Sequence, residues 1–283
     1  MRQPNLLPFF SREPLYNTTV MATPALAPRR SCRKLVVLTL LALFLLPIAV
    51  RAALHAYQDG PSSWRNADWS STGDLAAATA DPRARVLIMS GRTGGWKGVF
   101  SVHSWIVFKQ AHATSWRRYD VVGWGQPLRL NNWAPDGRWY GNRPRVLLDV
   151  GGAEAEALIP RIEATIANYR FANDGDYRMW PGPNSNTFVA TVLRAIPEIK
   201  LALPANAVGR DFRPWPYAGL SDSRTGVEAS LWGLLGIKLG WVEGVELNFL
   251  GLVAGLDLRN PGVKLPGFGR IGPDHLTATA ATR

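Results

Sequence analysis

The longest apolar stretch of the chain lies near its N-terminus and directly follows a basic segment. Leu35–Val50 holds one Thr and one Pro among otherwise apolar residues, and Arg29–Lys34 before it carries four cations. A membrane-spanning helix needs about 20 apolar residues, whereas the apolar part of a cleavable signal has roughly 7–15. If Arg51 snorkels to the membrane surface, the apolar helix extends by a further turn. The pattern predicts a transmembrane anchor or signal segment over 35–54, and an uncleaved anchor is favoured.

Two polar segments flank this apolar helix. Residues 1–34 are basic and become Pro-rich, which predicts a disordered leader whose true start is Met1 or Met21. Residues 58–82 are small and polar, which is typical of a tether between an anchor and a folded body. Because the cations precede the apolar run, the positive-inside rule places residues 58–283 outside the cytoplasm.

Between 83 and 200 the pattern changes from strands to helices. Four apolar or alternating stretches predict β-strands, namely Arg85–Ser90, Val99–Lys109, Tyr119–Trp124 and Arg145–Val150. Apolar residues then recur at helical spacing in Ala153–Asn168 and Asn184–Ile196. The order predicts an α+β core domain over 83–200, with a small, mostly antiparallel sheet packed on one or two helices.

The remainder of the chain, 201–283, contains an internal repeat. Val227–Gly236 and Val245–Ala254 share the pattern Val-Glu-apolar-polar, two bulky apolar residues, Gly, two aliphatics and a small residue. Each apolar run is about half a membrane span, which argues against transmembrane helices. We predict loops and a β-rich extension of repeated apolar hairpins. Hairpins that shelter each other are favoured over hairpins that dip into the bilayer holding the anchor.

Composition and charge narrow the function classes. The 283 residues carry a net charge of +11, but the body has no long Lys/Arg run, which disfavours a nucleic-acid partner. The pairs Arg117–Arg118 and Arg83/Arg85 are interpreted as solvated. The single Cys32 excludes an intramolecular disulfide, and the four His are scattered along the chain. No cofactor and no metal site is indicated.

The most reactive-looking residues lie on a predicted strand and at the start of a predicted helix. A hydroxyl at a helix N-terminus gains from the helix dipole and from free backbone N–H groups that stabilise an oxyanion. Ser185 at the start of the second helix is therefore a candidate nucleophile, and His103 on the second strand is its candidate general base. Asp120 is the preferred group to orient His103, and Asn131 is the alternative.

These segments resemble a known group of enzymes. Asn184–Arg194 and the strand His103-Ser104-Trp105-Ile106-Val107-Phe108 are similar to the catalytic helix and His strand of the circularly permuted papain-like group. That group includes the lecithin:retinol acyltransferase-like and permuted NlpC/P60-like enzymes. The resemblance implies a small sheet packed on the helix that bears the nucleophile. Those families use Cys, whereas this chain has Ser185 at that position.

Further residues complete this candidate site. We expect Asn184 or the backbone N–H groups of Asn186 and Thr187 to act as oxyanion donors. Twelve Trp residues are many for a chain of this length, and six of them cluster in the core domain. They either line a cleft for a glycan or an acyl chain or simply fill the core. The substrate-binding candidates are Asn184, Asn186, Thr187, Trp105, Trp124 and Trp180.

Each of the two central residues also has a purely structural interpretation. Ser185 can serve as the helix N-cap, and His103 can be a hydrogen-bonded core residue. The favoured function is therefore a non-catalytic, membrane-anchored envelope module of papain-like fold that binds a lipid, a glycan or a partner protein. The alternative is a Ser/His-dependent hydrolase or acyltransferase acting on envelope peptide, amide or acyl bonds.

A longer resemblance covers roughly 60–275. The chain is similar to a bacterial domain-of-unknown-function family, number thirty-seven-fifty, through four segments: Trp96–Trp105, Val121–Gly125, Trp180–Val189 and Leu265–Gly272. This resemblance implies an uncharacterised membrane-associated bacterial protein. Together with the positive-inside rule, it predicts an inner-membrane protein whose main domain lies on the periplasmic side.

Overall fold

The computed structural model describes residues 29–57 and 63–273. The chain divides into two units, Met1–Leu38 and Thr39–Arg283. Most of the predicted leader lies outside the described residues. Its last six residues, 29–34, belong instead to the first helix.

Helix α1 (Arg29–Ala56) contains the predicted anchor. Its segment Arg33–Ala56 is long and apolar enough to cross a membrane, and little of its apolar part is buried by the rest of the protein. The helix begins six residues before the expected start and runs through Arg51 without a break. An N-terminal helix of this kind is suited to be a membrane anchor or a signal.

The core domain is built on a five-stranded antiparallel sheet in the order β4-β3-β2-β1-β5. The strands are β1 (Arg85–Arg92), β2 (Val102–Lys109), β3 (Arg117–Val121), β4 (Leu128–Leu130) and β5 (Arg145–Gly151). Helices α2 (Ala153–Ala167) and α3 (Ser185–Ala195) follow, and short 3-10 turns occupy Ala78–Ala80 and Gly95–Val99. The predicted α+β class is confirmed.

Each face of this sheet has its own core. Alternation along β2 sends Val102 and Ile106 to the face that α2 and α3 cover, where they pack with Phe188 and Val192. Trp105 and Val107 point to the opposite face, into a smaller core with Trp139. A strand with both faces covered is buried throughout, as all eight residues of β2 are.

The described part of the predicted tether is folded onto this second core. Trp69 makes an edge contact with Trp139, with 5.0 Å between ring centroids. The buried Asp136 carboxylate accepts hydrogen bonds from the Ser71 hydroxyl at 2.6 Å and from the Asp74 backbone N–H at 2.9 Å. Residues 63–82 therefore differ from the free linker that their polar composition suggested, because their polar groups are satisfied by the domain.

The C-terminal region forms a second, seven-stranded antiparallel sheet in simple sequence order. Its strands are β6 (Tyr217–Leu220), β7 (Gly226–Leu231), β8 (Leu235–Gly240), β9 (Gly244–Phe249), β10 (Leu252–Asp257), β11 (Gly262–Leu265) and β12 (Gly269–Ile271). The internal repeat corresponds to the successive hairpins β7–β8 and β9–β10. These hairpins pair edge to edge through β8 and β9, so they do not shelter each other's apolar faces as favoured from the sequence.

Candidate functional site

A cavity of about 410 Å³ opens where the C-terminal ends of β1 and β3 meet the start of β2. Antiparallel pairing places these three strand termini at the same end of the sheet. The start of α3 and the turn between β9 and β10 complete the walls. Six of the site residues predicted from the sequence line this cavity, namely His103, Asn184, Ser185, Asn186, Trp124 and Trp180.

His103 is held by a buried carboxylate on the neighbouring strand. Its Nε2 lies 2.8 Å from Oδ1 of Asp120, and both side chains are almost fully buried. Asp120 also accepts hydrogen bonds from the Arg118 guanidinium, at 2.8 Å from Nε and 3.0 Å from Nη2. Asp120 therefore occupies the orienting position predicted for it.

These charges set the protonation of the three side chains. Burial lowers the pKa of the His103 imidazole, and the positive charge of Arg118 acts in the same direction, while the bond to Asp120 opposes them. Burial alone would raise the pKa of the Asp120 carboxyl, but Arg118 and His103 outweigh it and hold that pKa below its ordinary value. At neutral pH the group is thus an ionised Asp, a charged Arg and a neutral His.

Arg118 is a central member of this group that the sequence interpretation placed in solvent. Its side chain is fully buried, and its guanidinium carbon lies 4.1 Å from the centroid of the Trp105 ring. The spacing of Arg118 and Asp120 could have indicated that Arg118 belongs to this group, because residues two apart on one strand share a face. The predicted third strand begins at Tyr119 and therefore leaves out Arg118, whereas β3 begins at Arg117.

A second missed residue is Trp139, which stacks on the His103 ring. The two rings are 3.6 Å apart and nearly parallel at 4°. Trp139 follows a turn-dense segment, so no period in the sequence indicated that it enters a core. Stacking and the Asp120 bond together fix both the plane and the rotation of the imidazole.

Ser185 is the first residue of α3 and is only 4 % exposed. The helix N-cap is Asn184, whose side chain accepts from the backbone N–H groups of Asn186 and Thr187 in a capping box. The N-cap interpretation of Ser185 is therefore wrong. Ser185 lines the cavity, and its hydroxyl has no hydrogen-bond partner among the described residues.

Ser185 and His103 reach the cavity from opposite sides of β2. Helix α3 packs on the face that carries Val102, whereas His103 stacks in the Trp139 core on the other face. Within the described part of the chain no hydrogen bond joins the Ser185 hydroxyl to the His103 ring. Ser185 and His103 thus line one cavity, with Asp120 buried behind His103, but the two side chains are not hydrogen-bonded to each other.

Three other predicted roles are not supported by the geometry. The backbone N–H groups of Asn186 and Thr187, expected to be oxyanion donors, bind the Asn184 side chain at 2.9 and 3.1 Å. The Thr187 hydroxyl donates to the Gly209 carbonyl and does not line the cavity. Trp105 is fully buried and donates from Nε1 to the Pro135 carbonyl. Capping and core packing take up the groups assigned to substrate.

Most of the cavity wall is aromatic or aliphatic. Trp96, Trp124 and Trp180 stand at its exposed side. Leu250 comes from the β9–β10 turn and Leu252 from the start of β10, and Trp180 donates from Nε1 to the Leu250 carbonyl at 2.8 Å. The C-terminal sheet thus contributes to the site, which local sequence patterns could not indicate.

The comparisons with known proteins bear on this domain. Residues 83–212 match the family model described as a protein of unknown function, DUF3750. This segment is similar to that family. The match confirms the resemblance to the uncharacterised family and covers the core sheet, α2, α3 and the start of the C-terminal region. No curated protein and no solved structure matches the chain. The similarity to permuted papain-like enzymes stays a prediction.

Titratable side chains elsewhere do not assemble into a metal site. Among the residues that the structure describes, no group of three or more His, Cys, Asp or Glu side chains could hold a metal ion.

Proposed function

We propose that the protein is a membrane-anchored binding module whose cavity takes the acyl chain of a lipid. The observation that carries this proposal is the cavity wall, which combines four Trp rings with Leu250 and Leu252. Its volume of about 410 Å³ is within the usual range for small-molecule sites, about 300–1,000 Å³. Burial of a flexible apolar chain against such walls is favourable in proportion to the apolar area removed from water.

The polar groups of the cavity favour a lipid over a glycan. A buried sugar needs hydrogen-bond partners for its hydroxyls, since an unpaired polar group is costly away from water. The Asn184 amide nitrogen already donates to the Met179 and Val208 carbonyls. The Asn186 amide nitrogen donates to the Val102 and Val208 carbonyls. These internal bonds take up the amide donors of both Asn side chains, so neither amide is free for a polyhydroxyl ligand.

The charge of the cavity also fits an acyl chain. The lowered pKa of His103 keeps its ring neutral at pH 7, and burial raises the pKa of Tyr177 to about 12, so its phenol is neutral too. Lys97 is exposed at the wall of the cavity. An anionic head group beside Lys97 with its chain in the cavity satisfies both features.

Photo-crosslinking of the full-length protein tests this function. The protein is reconstituted in phosphatidylethanolamine–phosphatidylglycerol vesicles that contain a phospholipid with a diazirine near the end of one chain. We expect crosslinks to cavity peptides that contain Trp124 or Met179, and a several-fold loss of them in Leu252→Trp, which fills the cavity. Val146→Trp adds the same side chain on an exposed strand and is the matched control. Equal crosslinking of the cavity peptides in both variants would overturn the proposal.

A second function is favoured by one specific contact, the 2.8 Å bond between His103 and Asp120. That bond engages Nε2 of His103, so a rearrangement that brought the Ser185 hydroxyl to Nδ1 would let Nδ1 accept its proton. The site would then be a Ser hydrolase or acyltransferase acting on an acyl bond of the bound lipid. A fluorophosphonate adduct that is present in the wild type and absent in folded Ser185→Ala and His103→Ala would establish it.

The same proposal includes a location on the extracytoplasmic side of a bacterial inner membrane. It is supported by the cations of Arg29–Lys34, which precede the apolar part of α1 and favour a cytoplasmic N-terminus. A C-terminal alkaline phosphatase fusion, which is active only outside the cytoplasm, tests this orientation. An inactive fusion that is present at normal abundance would contradict it.

A further inference from the structure

In the C-terminal sheet the apolar side chains lie on the exposed face and the charged side chains on the buried face, which is the reverse of an ordinary half-buried sheet. One face of the described strands β7–β10 carries Ala, Val, Leu, Ile or Phe at all twelve positions, and this outward face includes Leu252, which also lines the cavity. One row across the sheet is Val227, Leu239, Val245 and Leu256. Most of these side chains are exposed, including Ile237, Leu239 and Phe249. A water-soluble sheet usually alternates apolar-in and polar-out, so this face does not suit water.

The opposite face carries the charges and is buried. The next row across the sheet, whose side chains point to the buried face, includes Glu228, Lys238, Glu246 and Lys264. Lys238 lies 3.0 Å from Glu228 and 2.7 Å from Asp211, and Lys264 lies 2.6 Å from Glu246. The register of the strands places the paired charges inside, and because side chains alternate along each strand, it also places the apolar side chains outside over the whole sheet.

We infer that this apolar face lies on the hydrocarbon surface of the lipid bilayer that holds α1. This apolar face is in direct contact with the anchor helix α1. Phe44 of α1 is buried and packs on Phe249 of the apolar face, with ring centroids 5.7 Å apart. The turn at Gly267 lies against Ile48 of the same helix. A membrane that takes the anchor therefore meets the sheet as well.

The depth of the contact agrees with a surface-inserted sheet. Phe44 precedes Val50, the end of the apolar run, by six residues. At a rise of about 1.5 Å per residue this is about 9 Å along the helix. Apolar faces of monotopic elements enter the bilayer by about 5–10 Å. Phe249, in contact with Phe44, lies within that layer.

Aromatic residues stand at the rim of the face. Trp232 lies in the turn between β7 and β8, and Trp241 lies in the turn between β8 and β9, so they mark opposite ends of strand β8. Both are exposed, as is Trp215 just before β6. Trp side chains concentrate at membrane–water interfaces, because the ring is apolar and its N–H seeks a polar partner. The rim therefore fits the head-group layer around an inserted apolar centre.

The inference is independent of the proposed cavity function, and a site-specific label tests it. In full-length protein with Cys32→Ser, single cysteines are placed at Ile237 on the apolar face, at Leu41 in α1 and at Ala164, which is exposed on α2. Each is labelled with an environment-sensitive fluorophore. The proteins are reconstituted in phosphatidylethanolamine–phosphatidylglycerol vesicles with or without chain-brominated phosphatidylcholine.

We expect brominated lipid to quench the label at Ile237 as strongly as at Leu41 and several-fold more than at Ala164. Aqueous iodide is expected to quench Ala164 and to spare the other two. Strong iodide quenching at Ile237 would show a face in water and would overturn the inference. Oxidative disulfide dimers of unlabelled Ile237→Cys, with little quenching from either phase, would show a face covered by a second copy and would overturn it equally.

Discussion

Asp120 and Arg118 form a fully buried ion pair, with 2.8 Å between Oδ2 and Nε, directly behind His103. Removing one partner of such a pair leaves the other charge without compensation in the interior. We expect Asp120→Asn to lower the free energy of unfolding by about 3–5 kcal/mol, as measured by urea unfolding of the full chain in detergent.

The exposed pair Arg85–Asp149 provides the matched control for that substitution. Its side chains are roughly a third exposed, and pairs of this kind contribute about 0–1 kcal/mol. Asp149→Asn should therefore change the free energy of unfolding by less than about 1 kcal/mol. Equal losses in the two variants would show that burial of Asp120 is not what makes its pair important.

Stability should fall as the pH is lowered from 7.5 to 5. The pKa of His103 is lower in the folded protein than in the unfolded chain, so at pH values around the ordinary His pKa the unfolded chain binds more protons. Stability then rises with pH across that window and is lost on acidification. The lowered pKa of Asp120 adds a loss at still lower pH.

Melting temperatures of His103→Gln and of the exposed-site control His112→Gln separate these contributions. The pH-dependent drop between 7.5 and 5 should shrink in His103→Gln and persist in His112→Gln. A wild-type melting temperature that is flat over this range would contradict the assignment of His103 as a buried neutral group.

Asn184 should be more important for stability than Ser185, although both line the cavity. The Asn184 side chain caps α3 and also binds the Met179 and Val208 carbonyls. Loss of an N-cap costs about 0.5–2 kcal/mol, and the two buried carbonyls add to it. We expect Asn184→Ala to lose at least this amount in urea unfolding and Ser185→Ala to lose distinctly less. The reverse order would contradict the capping geometry.

Lys238 should be essential to the C-terminal sheet. It is buried between the carboxylates of Glu228 and Asp211, and those charges raise its pKa well above the ordinary value against the opposing effect of burial. Lys238→Met keeps the apolar stem but removes one buried cation, which leaves Glu228 with Arg213 and Asp211 with Arg210 and should cost about 3–5 kcal/mol. Leu239→Met, on the next and outward-facing residue, is the control and should unfold like the wild type.

Local periodicity predicted the core sheet and its helices well. The second predicted helix, Asn184–Ile196, corresponds to α3, and the first predicted strand begins where β1 begins. The second strand starts at Val102 and not at Val99, since the residues before it form a 3-10 turn at Gly95–Val99. Alternation and cap residues are local signals, and they identify elements whose burial agrees with their own pattern.

The features that were missed depend on contacts between distant segments. The tether folds back because Asp136 accepts bonds from residues more than 60 positions away. The hairpins expose their apolar side because their Glu and Lys residues find partners at Arg210, Asp211 and Arg213. At the site, the pairing of His103 with Asp120 was anticipated, but the cavity wall from Leu250 and Leu252 was not.

Native mass spectrometry of full-length protein released from detergent tests the central claim most directly. We expect wild type and the control Trp64→Ala to retain one lipid per chain after mild delipidation. Trp64 and Trp124 are similarly exposed, at 55 % and 50 %, and only Trp124 lines the cavity. Trp124→Ala and Leu252→Trp should lose the lipid at several-fold lower activation energy or completely. A wild type without bound lipid, or identical retention in all four proteins, would contradict the acyl-chain cavity.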